Sequence, residues 1–325
     1  MSAIVDSPSV ESQTMDSRLE EKTWRPPLEK PMWGEPPSPA PAAPAAVTAR
    51  AQLERRRSLI LPREHGAWGL LLVPMVTGAA IALRESSNLF PFLLLLMAAL
   101  TLFWLRTPLE SLLGTSALRA QTSEERREVG FVAAYLAAVA ALSLGMLLWV
   151  GHNSLLWPLG AGAAGAFVAQ ALLKKLGRSA RMLAEVVGTI GLTASAPAAY
   201  YVITGKFGPT AWTLWLANLI FAGNQIHYVQ FRIHTARVAG LREKLARGWA
   251  FAAGQLIMTL ALTVACVSGL IPALASLAFA PVMFRGWFYF IQKPSPLVVH
   301  RLGWSELAQA IAFCVLFIAT FTPAI

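Results

Sequence analysis

The chain has 325 residues, of which 56% are hydrophobic and 14% charged, with a formal net charge of +10. A water-soluble domain carries about a quarter charged residues, so this composition excludes one and indicates an integral membrane protein. The positive excess does not mark a nucleic-acid partner, because the basic residues stand in short clusters between apolar runs, as membrane topology requires.

Residues 1–58 differ from the rest. The stretch WRPPLEKPMWGEPPSPAPAAPAA is rich in Pro and Ala, with mixed charge and no apolar periodicity. A disordered or polyproline-like cytoplasmic tail is expected there, and no signal peptide, because no apolar core follows a basic start. Residues 59–325 are expected to form one polytopic transmembrane domain. Apolar runs of the length that spans a bilayer fall at about 66–83, 89–105, 131–150, 154–173, 183–203, 210–229, 249–270, 272–292 and 307–322. The fold class is therefore all-α transmembrane, with about nine helices.

Charge sets the expected orientation. Arg55, Arg56, Arg57 and Arg63 precede the first run, and Arg119, Arg126 and Arg127 follow the second. Lys174, Lys175, Arg178 and Arg181 follow the fourth, five basic residues from Arg232 to Arg247 follow the sixth, and Lys293 and Arg301 follow the eighth. The opposite side holds only Arg84 and Lys206. The positive-inside rule then places the N-terminus in the cytoplasm and the C-terminus outside, in an inner membrane. Arg285 falls within the eighth run, where it either snorkels or lines a cavity. The charged run 124–128 reads as a solvated helix start, and GAGAAGAF (160–167) as a small-residue packing face. Cys266 and Cys314 lie in apolar runs without metal-ligand spacing and read as small hydrophobes.

The sixth run ends unusually, in ANLIFAGNQIHYVQFRIHTAR (217–237). At ~100° per residue, Asn224, His227, Gln230 and His234 share one sector of the helix. Hydrocarbon does not tolerate such a stripe, so a protein-lined cavity or the water boundary is expected to face it. Two histidines two turns apart do not fix a metal site, and no metal or other cofactor is expected. Glu110 stands one turn from Arg106 and Glu185 one turn from Arg181, as helical ion pairs do. Arg63 and His65, in PREHGAW, open the first run either as a polar cluster with a proton-donating imidazole or as a lipid-facing helix end.

Two blocks resemble known families. LILPREHGAWGLLLVP (59–74) looks like the start of YwiC-like membrane proteins, a family of unassigned activity. AEVVGTIGLTASAPAAYYVITGKFGPTAWTLWLANLIFAG (184–223), followed by TARVAG (235–240), resembles the second half of the UbiA prenyltransferase superfamily, especially its naphthoate-prenylating members. That resemblance implies a UbiA-like bundle of nine helices around a central cavity open to cytoplasm and lipid. It also implies two aspartate-rich motifs that hold Mg²⁺ for an isoprenoid diphosphate. Here the first falls on Arg106, Thr107, Glu110 and Gly114, and the second near Arg232 and Ala236. Guanidinium groups in place of carboxylates repel Mg²⁺ but bind phosphate or carboxylate directly.

The expected function is binding of an isoprenoid or other anionic amphiphile without Mg²⁺-dependent transfer. Arg63, Arg106, Lys174, Asn224, His227, Arg232, His234 and Arg237 are the expected ligand contacts. A UbiA-like prenyl transferase acting through His65, Glu110 or His227, and a membrane scaffold or transport component, are the alternatives. The expected partner is a membrane lipid or isoprenoid and not nucleic acid.

Overall fold

The computed structural model describes residues 44–61, 65–115, 118–151, 154–177, 180–293 and 296–322. Every regular element among them is helical. They are α1 (Pro44–Ile60), α2 (His65–Ala82), α3 (Phe90–Leu112), α4 (Ser123–Gly151), α5 (Leu156–Lys175), α6 (Arg181–Thr193), α7 (Ser195–Thr204), α8 (Pro209–Thr235), α9 (Leu241–Arg247), α10 (Trp249–Val267), a 3₁₀ helix (Ala273–Phe279), α11 (Ala280–Ile291) and α12 (Val299–Thr320). Among the described residues, seven helical stretches are long and apolar enough to cross a bilayer, with α6–α7 and the 3₁₀ helix plus α11 each counting as one. Helix α2 and helix α8 occupy the first and sixth expected runs. The first has a shorter apolar stretch, from Trp68 to Ala82, and the second turns polar in its last three turns. The fold is all-α and of transmembrane type, near the expected count.

Small residues let the helices approach closely. Ala196, Ala199, Ala211, Ala217, Ala275 and Ala278 are completely or almost completely buried, whereas Phe131, Leu142, Trp149 and Val267 are exposed on the rim. That distribution suits a lipid solvent, in which close packing rather than water exclusion holds helices together. Helices α2 and α7 illustrate it, since a Cβ on Gly78 would stand 2.1 Å from the Ala196 carbonyl oxygen. Polar links across the core are few and specific: the Asn218 amide donates to Thr77 Oγ1 at 3.0 Å, tying α8 to α2. Gly205, at φ 70°, closes α7 with its N–H on the Tyr201 carbonyl.

Helix α1 covers Pro44–Ile60. The small-residue stretch GAGAAGAF packs closely, through Ala163 and Ala166 of α5 against Gly191 of α6, while a Cβ on Gly160, Gly162 or Gly165 would meet open space. One expectation changes. The run 124–128 is not simply solvated, because Arg55 holds Glu125 at 2.8 Å and Arg56 holds Glu128 at 2.7 Å. Helix α4 exceeds what a bilayer needs, and these first charged turns stand outside its apolar stretch from Phe131 onward.

Candidate functional site

Polar and cationic side chains concentrate where the last turns of α8 meet α9, α11 and α12. The aromatic packing that builds this corner starts with Phe231, stacked on Phe251 of α10 with ring centroids 4.8 Å apart, and edge-on to Tyr289 of α11 at 5.1 Å. Gly248 admits Phe231, since a Cβ there would lie 2.2 Å from its ring. Tyr289 is the hub. The Arg232 guanidinium lies over its ring at 4.4 Å and Lys244 Nζ at 4.6 Å, and Thr235 donates to its hydroxyl at 3.3 Å. Cations placed on ring faces gain from the aromatic quadrupole.

Lys244 is completely buried and donates to the carbonyls of Gln292 at 2.5 Å and Tyr289 at 3.3 Å. It therefore caps the C-terminal end of α11, where a cation complements the helix dipole. One turn deeper, Arg285 of α11 packs its guanidinium on the Tyr228 ring at 3.9 Å and donates from Nη1 to Glu306 of α12 at 2.5 Å. Both partners are nearly buried, at 13% and 12% side-chain exposure, which decides that this is an interior ion pair and not a snorkelling arginine. Gln225 secures the same spot by donating to the Glu306 backbone carbonyl at 2.8 Å.

The layer around the pair is incompletely satisfied. Arg285 Nε and Nη2, Glu306 Oε2, Gln309 Oε1, Asn224 Oδ1 and both amide atoms of Gln255 are buried without a hydrogen-bond partner among the described residues. Buried polar atoms ordinarily find one, so seven orphans on four neighbouring helices form an unusual concentration. The identity of the two nitrogens matters. Nε and Nη2 make up one edge of the guanidinium, the edge with which Arg55 grips Glu125 through Nε at 2.8 Å and Nη2 at 3.4 Å. Arg285 keeps that oxyanion-binding edge unused.

The expected site residues are distributed as follows. Arg232 belongs to the cluster, and among the described residues no carboxylate lies within ion-pair distance of it. Asn224 is buried two turns earlier on the same helix. His227 sits against the Phe251 ring at 5.3 Å, in a space left by Gly254 of α10. His234 and Arg237 are exposed, and His234 Nδ1 lies 2.7 Å from the Gln230 carbonyl. Gln230 faces α6 and donates to Glu185 at 3.2 Å, so the polar stripe divides between neighbours and does not line a single cavity. Arg106 and Lys174 are on other helices. Arg106 pairs with Glu110 at 3.0 Å and lies 6.0 Å from the Phe167 ring of α5, while Lys174 is exposed at the end of α5. Arg63 lies outside the described residues, as do the side chains of His65 and Arg181. Between α2 and α8, a space of about 10 Å³ bordered by Pro74, Asn218, Phe221 and Gln225 has room for a single water and not for an isoprenoid.

Reading the sequence missed Glu306, Tyr228, Lys244, Gln255 and Tyr289. Glu306 had a usable sign: a lone acid at the head of an apolar run needs a cation, and Arg285 was the lone cation in the run before it.

Residues 61–200 match the family model for YwiC-like proteins. This is a YwiC-like region. It takes in α2 to α6 and most of α7, and it stops before α8, so the cluster around Arg285 lies beyond the YwiC-like part. No curated protein and no solved structure matches the chain. The resemblance to UbiA prenyltransferases is not confirmed by these comparisons.

Proposed function

We propose that this multi-pass membrane protein, YwiC-like over residues 61–200, binds the oxyanion headgroup of a membrane amphiphile, such as an isoprenoid phosphate, at the ends of α8, α11 and α12. The observation that carries the reading is the unused Nε–Nη2 edge of Arg285. Charge supports it: of Arg232, Lys244 and Arg285, which share the corner, Arg285 alone has a carboxylate, Glu306, within ion-pair distance among the described residues, which leaves a positive excess that an oxyanion would balance. Arginine at this edge binds phosphate or carboxylate without a bridging cation. In the unliganded protein the edge is covered, so the headgroup selects a conformation in which the cover has moved. The hydrocarbon tail then lies along the lipid-facing surface of the bundle, outside the narrow space between α2 and α8.

Thermal melting of the purified protein with farnesyl or geranylgeranyl diphosphate, in Mg²⁺ and in EDTA, tests this. A ligand held only by the folded state at about 100 times its Kd adds about 2.7 kcal/mol. Stabilisation is expected in EDTA as in Mg²⁺, and is expected to vanish in Arg285→Lys, which keeps the charge but loses the fork. Stabilisation that requires Mg²⁺ would overturn the metal-free site, and none under either condition would overturn headgroup binding altogether.

A further inference from the structure

A second feature lies on other elements, between the end of α1 and the beginning of α4. A surface groove of about 650 Å³ runs there, lined by Ile60, Arg127, Glu128, Phe131 and Val132. The groove has a constructed wall. Arg55 and Arg56 fasten α1 to Glu125 and Glu128, and Trp104 Nε1 of α3 donates to the Ile60 carbonyl at 2.9 Å, which fixes the last residue of the helix. On α4, residues 127, 128, 131 and 132 share one face, following helical spacing.

The groove also sits at a boundary. Helix α4 changes from five consecutive charged residues at 124–128 to an apolar run beginning at Phe131, whose side chain is 74% exposed. That transition marks where headgroups give way to acyl chains. The electrostatics select the sign of the headgroup. Glu128, the acid of the lining, is taken up by Arg56 at 2.7 Å, whereas Arg127 is exposed and no carboxylate among the described residues lies within ion-pair distance of it. Arg57, close by on α1, is exposed as well.

We propose that this groove is a binding site for one anionic phospholipid. Its phosphate meets Arg127, and an acyl chain runs over Ile60, Phe131 and Val132. The volume falls within the range of ordinary ligand pockets, and the apolar wall opens toward hydrocarbon, which suits a lipid. The site does not depend on the reading of the Arg285 cluster.

The test is native mass spectrometry of the full chain released from nanodiscs holding equal phosphatidylglycerol and phosphatidylcholine, counting retained lipid. Wild type is expected to retain a phosphatidylglycerol about fivefold over phosphatidylcholine, the preference that one basic side chain confers near an anionic surface. In the Arg285→Lys background, which removes the other proposed headgroup site, Arg127→Gln is expected to abolish the preference. Glu125→Gln, which releases α1 while leaving Arg127 in place, is expected to reduce it, and Arg285→Lys to leave it intact. Equal retention of both lipids by wild type, or a preference that persists when Arg127→Gln is added to Arg285→Lys, overturns the proposal. A preference lost in Arg285→Lys alone moves the lipid to the other cluster and overturns it too.

Discussion

Arg55 and Arg285 present the same chemical group in two surroundings. Between α1 and α4, half-buried, Arg55 spends its Nε–Nη2 edge on Glu125. Inside the bundle, Arg285 reaches Glu306 with Nη1 alone. A nearly buried ion pair gains little over a well-packed apolar pair, but removing one partner strands a charge and costs about 3–5 kcal/mol. Glu306→Ala is therefore expected to destabilise the protein by about 3 kcal/mol or more in a detergent unfolding assay, while the double change Arg285→Met with Glu306→Leu recovers most of that loss. A double variant no more stable than Glu306→Ala would show that the pair is needed for more than charge neutrality. Arg285 was conspicuous in the sequence because a cation within an apolar run is rare. Its partner was not, because twenty-one residues and a helix reversal separate them, and no i, i+4 spacing connects them. Glu110 shows the contrast: its partner Arg106 was one turn away and could be named outright.

Among the elements, α1 shows most plainly where reading by hydropathy ends. It has the charge of a tail and no apolar face strong enough to announce a helix, yet its last two turns are held by contacts to α3 and α4. The apolar runs, by contrast, were visible because a span must satisfy its backbone within itself. Helix α8 was legible in both halves, as a span and as a polar end, but not in its neighbours, because a stripe of polar residues does not say which helix each one meets. The hold on α1 depends on pH. Glu125 accepts from Arg55 and from the backbone N–H groups of Gln121 and Thr122, and the Arg55 bond above all holds its pKa down at about 2, from an ordinary 4.5. A carboxylate with a lowered folded pKa stabilises the docked state above its unfolded value and loses that contribution as pH falls through the folded one. A spin label at Gln52→Cys is expected to be immobile above pH 4.5 and to gain mobility progressively toward pH 2. In Glu125→Gln the label is expected to be mobile throughout; an immobile label in that variant would show that packing alone docks α1.

For the whole molecule, contacts gather several of the helix ends into two groups. On one side, Arg84 donates to the carbonyls of Ile318 and Phe321, bringing the turn after α2 to the end of α12. Glu85 there accepts from Tyr200 at 2.6 Å and from Lys206 at 3.2 Å, which adds the turn after α7. On the other side, α1 meets the start of α4, and the ends of α8 and α11 meet the start of α12. Both basic residues of the sparse side thus have partners within it, while the crowded side keeps Arg57, Arg127, Arg232, Arg237 and Arg242 without a carboxylate partner among the described residues. An excess of this kind is retained on the cytoplasmic face, where anionic lipid and the insertion machinery hold it. The orientation follows as a proposal: α1 and the proposed sites face the cytoplasm. With Cys266 and Cys314 replaced by Ala, an impermeant maleimide is expected to label Ser87→Cys in intact cells and Lys175→Cys only after permeabilisation. The reverse pattern would place Arg127 and Arg285 on the far side of the membrane, away from any cytoplasmic isoprenoid phosphate. Labelling of both positions in intact cells would mean that the two groups of loops share one side, which a bundle of membrane-crossing helices does not permit.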